Sequence, residues 1–201
     1  MDNTIIKLIN DLNTTTVSDQ RKALLKPLQD YLVNKAKQKI EANLNFICTH
    51  NSRRSQLSQV WAKVISDFYG PAINSFSGGI EITACNERTI ASFERMGFEV
   101  KNPGGENPHY EVSYHDNRKP IILFSKIYDD APNPKTNFAA VMTCTHADEN
   151  CPFIPGAEKR ISLPFEDPKA FDDTPEEAQK YDERSLQIAT EMKYIFSSVM
   201  S

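Results

Sequence analysis

No apolar run in this chain approaches the roughly 20 residues a helix needs to cross a bilayer, so no helical membrane span is expected. The 201 residues also lack a basic excess: 23 Lys and Arg stand against 27 Asp and Glu, a net charge of -4. Without a positive face there is no electrostatic footprint for a phosphate backbone, so nucleic acid is not an expected partner. The opening Met-Asp-Asn-Thr-Ile-Ile-Lys has neither the basic nor the apolar region of a secretory leader. The expected location is the cytoplasm. Cysteine is scarce, with four residues; in a reducing compartment so few thiols suit chemistry or metal binding better than a disulfide framework. Internal repeats and low-complexity segments are absent. What is present is an ordinary globular composition, 39% apolar and 25% charged, long enough for one substantial core.

Residues 1–43 read as helical. Ile5, Leu8, Ile9 and Leu12 fall on one face, Asn13-Thr14-Thr15-Thr16 breaks the run, and a second stripe carries Leu25, Leu28, Leu32 and Ala36. Pro27 should kink or delay that second helix. The pair reads as an extension packed on the main domain, with a dimer contact or docking arm as the alternative. From residue 44 to 201 strands alternate with helices. Strands are expected at 44–48, 72–77, 98–101 and 138–144, the last a continuous apolar run of the kind covered on both faces. Helices are expected at 55–69, with Leu57, Val60, Trp61, Val64 and Phe68 inward, at 86–96 stopped by Gly97, and at 174–199. The last has Thr174 as N-cap, Pro175 at the first helical position, Glu177 closing a capping box, and Ile188, Met192, Ile195 and Val199 on one face. Such alternation argues a three-layer α/β fold with a parallel sheet. The alternating 109–115, the turn-like 116–119 and the apolar 120–125 read as an added antiparallel hairpin over 109–126.

Three segments carry candidate chemistry. In Cys48-Thr49-His50-Asn51-Ser52-Arg53-Arg54-Ser55 a cysteine ends the first strand and Arg54 opens the next helix. Backbone N–H groups of such a loop and helix N-terminus can cradle a tetrahedral oxyanion, and the planar guanidinium of Arg54 can clamp two of its oxygens. The same positive field favours the thiolate form of Cys48, the nucleophile. Asn51 and Ser55 are short polar residues suited to bracing the loop. His50 either adds a donor to the anion, assists the thiolate, or faces solvent. The second segment is Cys144-Thr145-His146-Ala147-Asp148-Glu149-Asn150-Cys151. It reads as a polar loop bearing two thiols that either meet or are held apart, able to cycle between dithiol and disulfide. Metal binding by Cys144, His146 and Cys151, or inert thiols, are the rival readings. The third is Phe165-Glu166-Asp167-Pro168. Asp167 can protonate a leaving oxygen, with Glu166, Asp172 and Asp173 as rivals; Asp172-Asp173 reads as a solvated approach to the helix cap. Cys85 reads as a structural thiol.

Together the three motifs resemble a known family. FICTHNSRRSQLSQVW at 46–61 is similar to the nucleophile loop and first helix of thioredoxin-coupled arsenate reductases, which share a fold with low-molecular-weight protein tyrosine phosphatases. CTHADENCP at 144–152 resembles their redox segment, and PFEDPKAFDDTPEE at 164–177 resembles their Asp-Pro segment and helix cap. The resemblance covers roughly 44–199. It implies a phosphotyrosine phosphatase I-like three-layer sandwich with a central parallel four-stranded sheet, to which the N-terminal helices and the hairpin are additions.

It also implies a function in arsenical resistance. Cys48 attacks arsenate and Asp167 protonates the departing hydroxyl. Cys144 then resolves the Cys48–arsenic adduct, and Cys151 leaves a Cys144–Cys151 disulfide for thioredoxin or a similar reductant. Thr49, His50, Asn51, Ser52, Arg53, Arg54 and Ser55 would hold the oxyanion. No metal and no tightly bound cofactor is implied. The phosphatase branch, hydrolysing phosphotyrosine or small phosphoesters through phospho-Cys48, is the alternative; a non-enzymatic oxyanion-binding protein is a third class. The chain departs from the family loop where His50 replaces a usual Gly, which predicts backbone strain, and where Arg53 replaces a frequent Cys, which predicts a second positive charge beside the anion.

Overall fold

A computed structural model describes residues 1–151 and 153–199. Two capped helices begin the chain. The Asp2 carboxylate accepts the Thr4 N–H (2.7 Å) to start α1 (Asn3–Asp11), and Ser18 Oγ accepts the Arg21 N–H (3.2 Å) to start α2 (Asp19–Gln38); these are N-caps. α2 runs through Pro27 and ends at Lys39 in the left-handed region. Its buried stripe is Leu25, Leu28, Tyr31, Leu32 and Lys35, so Lys35 takes the place expected of Ala36, its ammonium paired with Glu158 at 2.6 Å.

The central sheet has four parallel strands in the order β2-β1-β6-β7: β1 (Ala42–Cys48), β2 (Ile73–Gly79), β6 (Phe138–Met142) and β7 (Ala157–Ser162). Leu44, Phe46, Ala139, Val141 and Ile161 face the larger core, built with α3 (Arg54–Tyr69) and α6 (Glu177–Val199). Ile47, Phe138, Ala140 and Met142 face a smaller core closed by α5 (Thr145–Asn150), Ile154 and Tyr128. Every residue of β6 is buried, as its unbroken apolar run predicts. β7 (AEKRIS) is an edge strand, so polar side chains occupy most of it.

Two expectations change. The strand at 98–101 does not enter the parallel sheet: β3 (Glu99–Lys101) pairs antiparallel with β4 (Tyr110–Ser113), which pairs with β5 (Ile121–Leu123). The hairpin is thus part of a separate three-stranded sheet. It joins the main core through Val112, Tyr110 and Leu123, beside Phe98, which meets Trp61 edge-to-face at 5.3 Å. The turn into β3 follows α4 (Glu87–Arg95), where Gly97 (φ +92°) packs so closely on α1 that a Cβ would lie 2.9 Å from Thr4. The other change is at the start of α6. It begins at Glu177, Thr174 Oγ1 donates to the Phe171 carbonyl, and the Glu177 carboxylate accepts the Asp173 N–H at 2.6 Å. No helix among the described residues is long and apolar enough to cross a membrane.

Candidate active site

β1 ends at Cys48 and α3 begins at Arg54, so the residues between them form a loop at the C-terminal edge of the parallel sheet, where open α/β sheets bind ligands. The loop's carbonyls are all engaged by surrounding donors. Thr49 O accepts from Ile80 and Glu81, His50 O from Ser125 Oγ, Asn51 O from Gln56 Nε2, and Ser52 O from Asn86. In a trans peptide the C=O of one residue and the N–H of the next point in opposite directions, and no peptide here is cis. The N–H groups of His50, Asn51, Ser52 and Arg53 therefore turn away from those donors. Backbone N–H groups left free in this way beside a helix N-terminus suit an anion. The left-handed residue is Asn51 (φ +47°) and not His50, so the expected strain at His50 is absent. The His50 imidazole turns to Glu81, Nε2 to carboxylate 3.1 Å.

Cys48 is buried, its Sγ 3.1 Å from Ser55 Oγ. Asn51 Nδ2 donates to that same oxygen at 2.9 Å. A hydroxyl that accepts from an amide keeps its own proton for another acceptor, so Ser55 is set to donate to the sulfur. Opposite Cys48 in the sheet lies Gly79, where a Cβ would come within 2.8 Å of Thr49 O and Asn51 N. The adjacent Gly78 and Gly79 at the end of β2 were the sequence signal for this close approach, and it went unread.

Arg54 NH2 donates to Asp167 Oδ2 at 2.7 Å and NH1 to the Phe165 carbonyl at 3.1 Å, while Nε is buried with no partner among the described residues. That orphaned donor fits an oxyanion oxygen. Glu166 is 92% exposed and pairs with Arg184. Asp172 differs from its reading as a solvated residue: it is 18% exposed and accepts from both Arg53 (3.1 Å) and Tyr181 Oη (2.7 Å). Asp173 is the exposed one, paired with Arg88 at 2.7 Å. The Arg53 guanidinium, expected beside the anion, is held by Tyr181 Oη (2.7 Å) and Asp172 instead.

Cys144 follows β6, which lies beside β1. The strand pairing continues past Met142, with Thr143 N donating to Ile47 O at 2.7 Å. Its buried sulfur accepts the Ala147 N–H (3.3 Å) and lies 3.4 Å from Thr49 Oγ1, which also lies 3.3 Å from His146 Nδ1. The residue after the candidate nucleophile thus touches the second thiol. Residues 145–150 are not a loop but the helix α5, with Cys144 as N-cap and Cys151 as C-cap. At 1.5 Å rise per residue their Cα atoms are about 10 Å apart, so the helix holds the two sulfurs apart. Cys151 is half-buried, and burial, aided by Cys144 and opposed by Arg160, raises its thiol above the ordinary range. All four cysteines are free thiols. Among the described residues Cys144, His146 and Cys151 belong to no group able to hold a metal ion.

A cleft of about 500 Å³ opens beside the loop, lined by Ser52, Arg53, Cys85, Glu106, Tyr110 and Lys169. Its outer wall comes from the segment leading into β4, and its rim from the residue two positions after Asp167.

No protein-family model matches the chain. It is 31% identical over 123 residues to arsenate reductase 2 of Staphylococcus epidermidis, covering 61% of this chain and 76% of that protein. The chain belongs to the arsenate reductase family. It is likewise 32% identical over 124 residues to an arsenate reductase of Staphylococcus aureus, with 61% and 76% covered. Among solved structures, "an arsenate reductase in the phosphate binding state" shares the fold at a TM-score of 0.51 and 16% identity, covering 79% of this chain and 98% of that one. A low-molecular-weight phosphotyrosine phosphatase from Vibrio cholerae shares it at 0.53 and 12% identity, covering 78% and 95%. Membership of the arsenate reductase family thus comes with a fold that phosphatases also use.

Proposed function

We propose that the chain reduces arsenate to arsenite by a cysteine relay. Cys48 thiolate attacks the arsenic of a bound arsenate; one As–O bond breaks, and Asp167 supplies the proton with which that oxygen leaves as water. Cys144 thiolate then attacks Cys48 Sγ. The S–As electron pair passes to arsenic, arsenite leaves, and a Cys48–Cys144 disulfide remains. Cys151 attacks Cys144, freeing Cys48, and the Cys144–Cys151 disulfide is reduced by thioredoxin or a similar dithiol. Two thiols are oxidised for each arsenic reduced by two electrons. The proposed place of action is the cytoplasm, where thiols stay reduced.

The observation that carries this reading is the convergence of Cys48 and Cys144 at the ends of neighbouring strands, with Thr49 in contact with the second sulfur. The relay also has a geometric requirement. A disulfide needs Cα atoms roughly 4.4–6.8 Å apart, so α5 must unwind before Cys151 reaches Cys144. Turnover of arsenate with thioredoxin is expected in the wild type and is expected to stop after at most one cycle in Cys144→Ser. Undiminished turnover in that variant sinks the relay.

A second reading is phosphomonoester hydrolysis through phospho-Cys48. The cleft of about 500 Å³ is lined by His50, Ser52 and Arg53 of the loop but not by Cys48, Arg54 or Asp167, so what supports this reading is the fold shared with a phosphatase. This chemistry uses Cys48, Arg54 and Asp167 but neither resolving thiol. Ester hydrolysis that survives loss of both Cys144 and Cys151 would favour it.

A further inference from the structure

We propose that Arg53 is a positioning residue for Asp167: it clamps the segment bearing the acid onto the N-terminus of α3, and its guanidinium takes no part in holding the oxyanion. The inference rests on the reading of Asp167 as the acid. Three side chains close a ring. Arg53 Nε donates to Tyr181 Oη at 2.7 Å, Tyr181 Oη donates to Asp172 Oδ1 at 2.7 Å, and Arg53 NH2 donates to Asp172 Oδ2 at 3.1 Å. The phenol is fully buried on α6. Burial first, then the bond to Asp172, hold its proton well above the usual phenol range, opposed by Arg53. It therefore acts as a fixed donor and acceptor.

The ring sits close to Asp167 along the chain. Between Asp167 and Asp172 lies one 3₁₀ turn, Pro168–Phe171; the Asp167 carboxylate caps it by accepting the Lys169 N–H at 3.1 Å, and Asp172 N closes it on Lys169 O. Pro168 is buried. So short and closed a piece moves as a unit, and fixing Asp172 fixes Asp167. Arg88 holds the far side, bonded to Glu177 and Asp173 and 3.9 Å from Asp172. Asp167 itself touches the two arginines unequally: Arg54 at 2.7 Å and Arg53 at 3.9 Å. When an oxyanion engages Arg54, that guanidinium is shared. Arg53, tied to Tyr181 and Asp172, stays as the fixed charge beside the acid.

The test uses the full chain and the ester hydrolysis that shares the first chemical step. Wild type, Arg53→Ala, Arg53→Lys, Tyr181→Phe and Asp167→Asn are compared on p-nitrophenyl phosphate, which scarcely needs an acid, and phenyl phosphate, which does. Inorganic phosphate serves as the competitive inhibitor. A general acid contributes roughly 10²–10⁴-fold, so a displaced one is expected to lower kcat on phenyl phosphate by at least about tenfold more than on p-nitrophenyl phosphate in Arg53→Ala and Tyr181→Phe. Arg53→Lys should fall between, and phosphate inhibition should stay within about twofold of wild type. An Arg53→Ala variant with the wild-type leaving-group ratio overturns the clamp, as does one whose only change is a tenfold loss of phosphate affinity. If Asp167→Asn itself keeps the wild-type ratio, the reading of Asp167 falls instead. Amide hydrogen exchange over 165–173 reads the clamp even without turnover: faster exchange in Arg53→Ala and Tyr181→Phe is expected, and unchanged exchange overturns it.

Discussion

Ser55 shows how one hydroxyl directs a site. Its oxygen accepts from Asn51 and its proton faces Cys48, so Ser55→Ala removes a donor to the thiolate and leaves a buried amide unpaired. A hydrogen bond to a charged group contributes about 1.5–3 kcal/mol, and alkylation of Cys48 by iodoacetamide at neutral pH should slow by about tenfold or more. An unchanged rate would show that Ser55 does not donate to the sulfur.

Lys126, behind the loop, is the other residue with a measurable signature. It is 3% exposed, its Nζ lies 3.5 Å from Ser77 Oγ and above the Phe124 ring, and its N–H donates to Asn51 Oδ1. Burial pulls its ammonium down to about 8, opposed by Cys85 and Asp130. An unfolded lysine titrates near 10.4. Between about 8 and 10.4 the unfolded state therefore binds more protons and stability rises with pH, by about 3 kcal/mol for a shift of this size. Burial pushes Cys85 the other way, up to about 12, so its contribution is lost as pH climbs from about 8.5. In a Cys85→Ala background, urea unfolding between pH 8 and about 10 should show stability rising less steeply, or falling more steeply, with pH once Lys126→Met is added. That comparison cancels the opposite losses from Cys151 and Tyr181, whose protons burial also holds.

At this scale the sequence was partly legible. Arg54 meets Asp167 at 2.7 Å, as the spacing of the motifs allows, while the partner of Cys48 is Ser55. The real partners of Arg53 and His50 were hidden because Tyr181 is 128 residues from Arg53, and spacing carries no signal over that range.

Among the elements, α5 is the one whose stability bears on the proposed relay. One and a half turns cannot hold themselves together in water, so tertiary ties must. Arg160 on β7 supplies them, pairing with the Asp148 carboxylate at 2.6 Å, bonding the Asp148 carbonyl, and donating to Cys151 O at 3.0 Å. Arg160→Ala should let α5 unwind more readily. With charge-assisted bonds each contributing about 1.5–3 kcal/mol, disulfide formation between Cys144 and Cys151 in a Cys48→Ser background should speed up by about tenfold. The measurement is mass spectrometry of alkylated samples under oxidised dithiothreitol; a rate equal to that of the Cys48→Ser parent, with Arg160 in place, would mean that α5 is not the barrier. Residues 145–150 were read as a loop because five polar residues and the single Ala147 show no apolar periodicity. Their helix is held by a local cap, the Cys144 sulfur accepting the Ala147 N–H, and by the tertiary ties of Arg160. β7 escaped for a related reason, since an edge strand needs no alternation deep enough to see. The long, apolar elements β6 and α3 fall where their patterns place them.

Across the whole molecule, the N-terminal helices reach the chemistry. α2 was read as packing on the rest, and Leu25, Leu28 and Leu32 do lie in the main core with Ile188 and Ile195 of α6. Its hydrophobic stripe gave no hint of what Arg21 does. Arg21 Nε bonds the buried Glu191 carboxylate at 2.8 Å, NH1 donates to the Pro164 carbonyl at 2.9 Å, and the guanidinium lies over the Phe165 ring. Phe165 in turn offers its carbonyl to Arg54. The segment carrying Asp167 is thus held upstream by α2 and downstream by Arg53, Asp172 and Tyr181. Arg21→Met should leave Glu191 charged and buried without its counter-ion, bonded only by Gln187 Nε2 at 2.9 Å, at a cost of about 3–5 kcal/mol in urea unfolding. Glu191→Leu placed on top removes that stranded charge, and the double variant should recover most of the loss. The two changes should therefore be strongly non-additive. Recovery of stability need not bring recovery of activity. The double variant still lacks the bond to Pro164, so a folded protein with slowed ester or arsenate turnover is the expected outcome. Full activity in that stable double variant would mean that α2 supports the fold without setting the position of Asp167.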